Sequence, residues 1–424
     1  MRGLFVLLLF QSLISCAQIE LIRLEKPKGS KYAYSQVEPS IFINPNDTSE
    51  IIAGSVLDDY YYSEDGGRTW KSKTMHSEAG VYGDPCMLID TASNYYYFHL
   101  SEGKGGSWLD KMICQKSSKI DGKFNGGTFT ESNGKIHDKE WAVVNPNTNE
   151  IYLTWTQFDK YDSKNSEDSS IIIFSSSNDQ AKTWTKPVRI SKVGGDCRDG
   201  DQTAEGAVPA VGPNGEIFVS WSRDDTIWFS KSLDNGITWL NKESFICKHV
   251  GGWDLKIEGI NRSNGMPVTH CDLSGGEHNG RIYINFADKR NGKDDSDIFL
   301  IYSDDQGETW SEVIKVNQDD SRREQFFTWM CVDQSNGDLY FVYYDRRNTR
   351  GNETHVYVTR SNDGGASFKE IQITDEPFKP NGYVFFGDYS NISAHQGMVR
   401  PIFNRMEDMK ISLWTAILYN FDFD

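Results

Sequence analysis

An eight-residue pattern that returns along the chain limits what this sequence can fold into more than any other feature. Its fullest copy is Ser303-Asp304-Asp305-Gln306-Gly307-Glu308-Thr309-Trp310. Ser63–Trp70 (SEDGGRTW), Ser177–Trp184 (SNDQAKTW), Ser232–Trp239 (SLDNGITW) and Ser361–Phe368 (SNDGGASF) share its frame. Each copy follows a strand-like run, such as Ile298-Phe299-Leu300-Ile301-Tyr302. The chemistry is that of a hairpin turn. Ser and Asp side chains bond nearby backbone N–H groups, and Gly supplies the positive φ. The closing aromatic residue then buries a large apolar surface between strands. A unit recurring at this interval cannot bury its apolar face alone, so it predicts a stacked repeat architecture.

These octapeptides resemble the Asp-box (BNR) repeat of the sialidase-like β-propellers, the neuraminidase superfamily, over nearly the whole chain. The resemblance implies an all-β fold, and four-strand meanders fill the intervals between the turns. Blade 1 reads Pro39–Ile43, Ile51–Val56, Tyr60–Tyr62 and Trp70–Ser72, and the plan restarts at Asp84, Asp138, Glu205, Asp272, Gln325 and Asp388. The expectation is therefore a single seven-bladed β-propeller over residues 18–424. The last blade has three strands of its own, and the run Ile19–Leu24 is expected to complete it, which closes the ring and removes its exposed edges.

A length of 424 residues alone would allow two or three domains, but the regular repeat argues for one. The net charge of −17 argues against nucleic acid as a partner. Arg2 followed by the apolar run from Leu4, fading at Ile14, predicts a signal peptide over residues 1–17 and an exported protein. Leu13-Ile14-Ser15-Cys16 matches a lipobox with Cys16 lipidated, and Ser15-Cys16-Ala17 also fits ordinary cleavage before Gln18. A membrane is expected only through that lipid anchor, and the protein is expected to be a monomer. Cysteine spacing fits no zinc pattern, and neither metal nor cofactor is expected.

An acid opens every inner strand: Glu38, Asp84, Asp138, Glu205, Asp272, Glu324 and Asp388. In this register they crowd one channel mouth, where like charges raise pKa values. The face bearing the long loops, opposite the repeated turns, is the expected site of function. The likeness to sialidases implies a tyrosine nucleophile, a glutamate base, an aspartate acid and an arginine triad. Phe386-Gly387-Asp388-Tyr389-Ser390-Asn391-Ile392 resembles the segment bearing the tyrosine, which makes Tyr389 the implied nucleophile and Glu205 the implied base. Asp58 or Asp59 is the implied acid. Arg223, together with Arg290, Arg346 or Arg347, is implied to hold a substrate carboxylate. Glu38, Asp84, Asp138 and Asp388 line the expected binding floor. Blade 1 has Gln36-Val37-Glu38-Pro39 where sialidases carry the first arginine, so a swapped pair, Glu38 with Arg405, is expected to stand in for it.

The resulting expectation is an exported carbohydrate-active protein, a sialidase-like exo-glycosidase acting on an acidic sugar, with a glycan as its partner. His99, His137 and His270 allow a second reading, a polysaccharide lyase abstracting the proton beside a uronate carboxylate. A third is a non-catalytic glycan-binding or scaffold propeller, because fold does not imply function.

Overall fold

The computed structural model describes residues 19–28, 36–103, 107–131 and 133–424. The expected signal peptide, residues 1–17, and with it Cys16, lies outside the described residues. Seven antiparallel four-stranded sheets make seven blades. Their inner strands are Ser40–Ile43, Cys86–Ile89, Ile136–Val144, Glu205–Val211, Val268–Cys271, Gln325–Val332 and Asn391–His395. Each inner strand packs on the next, and the last packs on the first, so the ring closes. Bonds across the blade seams support the closure. Asn391 Oδ1 accepts from Ile41 N at 3.3 Å, and Ser40 Oγ accepts from Met87 N at 3.0 Å.

The repeated octapeptides form near-identical turns. In the Ser303 copy, Ser303 Oγ donates to Asp305, Gly307 N donates to Ser303 Oγ, and Asp305 accepts from both the backbone and the hydroxyl of Thr309. The copies at Ser63, Ser177, Ser232 and Ser361 repeat this wiring. Gly307 has φ +82°, and a Cβ there would lie 2.5 Å from the Phe229 ring of the preceding blade. Turn conformation and blade stacking thus demand the same small residue. Thr309 holds the Asp305 carboxyl at a pKa of about 2, and Thr183 does the same for Asp179.

Glu20–Leu24 pairs antiparallel with Lys410–Tyr419, Leu24 lying opposite Leu413, and so forms the outer strand of the last blade as expected. One expectation of register fails. Asp272 does not open the fifth inner strand but follows it, where its carboxylate accepts from Ser274 N on the face of the repeated turns. The strand is only Val268–Cys271 and follows a long connection, so Asp272 stands at its far end and not at its start. Among the described residues no helix is long and apolar enough to cross a membrane.

Deleting residues 19–24 will expose the Lys410–Tyr419 edge. The expected outcome is an aggregating protein with a lowered Tm; a soluble, cooperatively melting deletion variant would contradict the closure. The turns carry a pH signature as well. A carboxyl held below its unfolded pKa of about 3.9 stabilises the fold above that pH, and the contribution fades as pH falls towards 2. Asp305→Asn is expected to lower the urea midpoint at pH 6, with the gap to the parent closing between pH 4 and pH 2.

Candidate functional site

Inner strands begin with an irregularity that aims side chains at the axis. Register shifts separate Asp138 from Trp141, Glu205 from Val208 and Phe326 from Trp329. Glu38, Asp84, Lys139 and Phe327 have φ of 50–54° at the equivalent point, two residues before regular pairing starts, and Gly206 has φ +75° there. Positive φ is unusual for residues with a side chain, and bulges of this kind re-aim side chains at sheet rims. Below them the channel is filled. Trp141 and Trp329, from opposite sides of the ring, have ring centroids 4.2 Å apart, and Tyr389 packs on both at 5.3 and 5.9 Å.

Above this aromatic plug lie buried charges. The Lys139 ammonium sits 2.5 Å from Asp388 and 3.5 Å from both Glu38 and Asp84. Arg262 grips Asp388 through Nε and Nη2 and reaches Asp199 through Nη1 at 2.5 Å. Burial opposes ionisation of Asp388, but Lys139 and Arg262 outweigh it and hold its pKa below the usual range. Burial likewise opposes ionisation of Asp199, and Arg262 with the bond from Glu205 overcomes it. Elsewhere burial wins. It pushes Asp138 up to about 8, helped by Asp84 and Asp199 against Lys139. Glu38 rises through burial and the neighbouring Asp84. Glu205 rises through burial and the charges of Asp199 and Asp138. As a carboxylate Glu205 has no donor for either oxygen, whereas protonated it donates to Asp199. The mouth therefore holds neutral and ionised carboxyl groups side by side.

Arg262 comes from the connection between Ser244–Lys248 and Val268–Cys271, which straps the mouth. Its Trp253 Nε1 donates to Asp199, Asn264 Nδ2 to Asp388 O and Asn261 Nδ2 to Gly382 O, while Glu258 O accepts from Arg346. Trp253, Leu255 and Ile257 are buried beneath it. Neither Lys139 nor Arg262 figures among the residues expected from sequence. Lys139 was hidden between the acids Asp138 and Glu140. The strap did leave a trace, since a connection this long between blades is usually functional.

The structure brings Glu38, Asp84, Asp138, Glu205, Asp388 and Tyr389 together at the axis and places the expected arginines elsewhere. Arg223 bonds Glu243 at 2.9 Å and lies over Trp228. Arg290 bonds Asp288 and covers Phe299. Arg347 bonds Asp345 and Glu370 and covers Tyr357. Arg346 is wholly buried, 3.6 Å from Glu324. It is held under the strap, where its Nη2 donates to Glu258 O, whereas Arg223, Arg290 and Arg347 lie at the ends of second strands over aromatic rings of their own blades, each beside a nearby acid. Arg405 follows the same rule, over Trp414 and 3.9 Å from Glu407. The expected Glu38–Arg405 pair does not form; Glu38 meets Lys139 instead. Glu324, bound to Arg346, is not in the acid ring.

No hydrogen bond among the described residues joins Tyr389 to Glu205. Burial, then Asp84 and Glu38, pushes the Tyr389 phenol up, whereas Glu205 faces Asp199 and Asp138. Asp59 accepts from Ser55 and Tyr61 inside blade 1, with burial raising its pKa to about 6. Asp58 lines a separate cavity against the Glu25–Lys28 segment. The histidines are no better placed. His99 meets Leu100 O and Gln115, His137 accepts from Trp155 Nε1, and burial pulls His99, His137 and His270 down to about 4. Among the described residues no cluster of His, Cys, Asp and Glu is arranged to hold a metal ion.

The fold and its turns define a sialidase-like Asp-box β-propeller with a carboxyl-rich mouth. The BNR repeat-like domain matches residues 149–388, more than half of the sequence, and the chain belongs to that family. A protein of unknown function from Dyadobacter fermentans DSM 18053 is similar in structure, with a TM-score of 0.52 at 11% identity over 94% of this chain and 99% of that one. The Hadza microbial sialidase Hz136 has a TM-score of 0.48 at 13% identity, covering 87% and 73%. YCF48 bound to D1 peptide has a TM-score of 0.48 at 12% identity, covering 94% of each. At these identities the likeness concerns the fold alone.

Burial of Asp138 has a measurable consequence. A carboxyl whose folded pKa is raised stabilises the fold fully below its unfolded pKa, near 4, and that contribution is lost as pH rises through about 8. Asp138→Asn keeps a neutral side chain of the same shape. Its urea midpoint relative to the parent is expected to rise between pH 5 and pH 9; parallel profiles would contradict the assignment.

Proposed function

We propose that this protein is a carbohydrate-active propeller, a sialidase-like glycoside hydrolase working at the channel mouth. The observation that carries the reading is the cluster of carboxyl groups around two buried cations, in which Lys139 and Arg262 bind Asp388, Arg262 binds Asp199, and Asp138, raised by burial to about 8, stands beside them as a proton donor. A proton donor beside an ionised carboxylate is what glycoside cleavage requires. Lys139 and Arg262 hold the ionised groups in place, and Tyr161 donates to Asp199 at 2.7 Å. The acidic sugar expected from sequence would meet one exposed guanidinium edge, that of Arg262, among many carboxyl groups. A neutral pyranoside avoids that repulsion and is the substrate class the mouth favours. Export, read from the apolar leader, belongs to the same proposal.

A second reading, a glycan-binding propeller without turnover, draws on Tyr389. Its ring is wedged between Trp141 and Trp329, far from the freedom that a nucleophile needs. A screen of the purified protein against aryl monoglycosides, sialosides and uronate polymers separates these readings. The hydrolase reading expects free sugar from a neutral aryl glycoside. Asp138→Asn should then lower kcat about 100-fold or more while sparing binding. Binding without release in every case favours the module, and an unsaturated product would mark a lyase.

A further inference from the structure

Next to the carboxyl groups, the same face carries exposed aromatic rings that the proposed chemistry leaves unused. Trp108, in the loop between Tyr95–Leu100 and Met112–Ser117, is 41% exposed. It is nonetheless fixed in orientation, because Tyr82 meets it at 5.7 Å and Tyr161 at 5.8 Å, both nearly perpendicular. Tyr161 in turn donates to Asp199, which ties this cluster directly to the mouth. On the far side Phe385, 38% exposed, lies 5.2 Å from the Arg262 guanidinium. The indole is thus held in place by two tyrosine rings while part of its surface stays open to solvent. Beyond it, Val81, the residue before Tyr82, lines a cavity of about 660 Å3. Lys28, Lys73, His76 and Ser77 line the same cavity, so its wall offers hydrogen-bonding groups.

The face therefore runs from carboxyl groups, over an aromatic platform, to a polar cavity. We propose that Trp108, braced by Tyr82 and Tyr161, is a stacking subsite for a pyranose ring, and that the ligand is an oligosaccharide extending from the mouth across blade 2 rather than a single sugar. This rests on the carbohydrate reading above and deepens it. A pyranose presents an apolar C–H face to a ring while its equatorial hydroxyls point sideways to polar groups, and that is the alternation found here. A single platform of this kind adds affinity once the chain is long enough to reach it, because the sugar bound at the mouth does not.

The test compares the parent with Trp108→Ala and Trp108→Phe, using isothermal titration with glucose, N-acetylglucosamine, galactose and xylose and with the linear tetrasaccharides cellotetraose, chitotetraose, galactotetraose and xylotetraose. Because Trp108 is partly exposed, the variants are expected to keep the parent Tm, which is checked first. At least one tetrasaccharide should bind the parent more tightly than its monosaccharide. Trp108→Ala should cost that tetrasaccharide about tenfold in Kd while leaving the monosaccharide unchanged, and Trp108→Phe should restore most of the loss. Tetrasaccharide binding that is indifferent to Trp108, or an equal loss for both lengths, overturns the subsite and leaves the carbohydrate reading standing. Failure of every sugar to bind the parent overturns both.

Discussion

Everything at the centre of this protein depends on burying carboxyl groups around two cations. Seven inner strands converge on one axis, and five of them deliver an acid to it: Glu38, Asp84, Asp138, Glu205 and Asp388. Buried like charges cannot all remain ionised. Lys139 and Arg262 stabilise the charge on Asp388, and Arg262 that on Asp199, while Asp138, Glu38 and Glu205 are driven towards the neutral form. The rings of Trp141, Trp329 and Tyr389 pack together beneath these groups and fill the channel there. The strap that supplies Arg262 is fixed by bonds to several blades, so the cation is pre-organised rather than recruited.

The periphery follows a different rule. The Asp-box turns satisfy their own backbone locally, and each sets a glycine or a small residue against the neighbouring blade. The second strands end in arginines that lie over aromatic rings of the third strand and pair with acids close by. These arginines brace blades. That division separates two sets of groups: the turns and the bracing arginines are conditions of the fold, whereas the buried cations Lys139 and Arg262 belong to one mouth.

The sequence by itself determined the repeat, the all-β class, the seven blades and the completing strand Glu20–Leu24, because each is set by local turn chemistry and alternating apolar residues. It also determined most of the acid ring, since Glu38, Asp84, Asp138, Glu205 and Asp388 all lie at or just before the heads of inner strands. Asp272 shows where that logic ends: a short inner strand after a long connection shifted the count by one strand length. Only the tertiary structure decided which charges meet. Lys139 and Arg262 lie far apart in the chain, and they reach Asp388 because ring closure and the strap bring three blades to one axis. Arg223, Arg290 and Arg405 looked equally eligible in one dimension; each had an acid and an aromatic ring within its own blade, and a short-range pair leaves no charge to spare for the mouth.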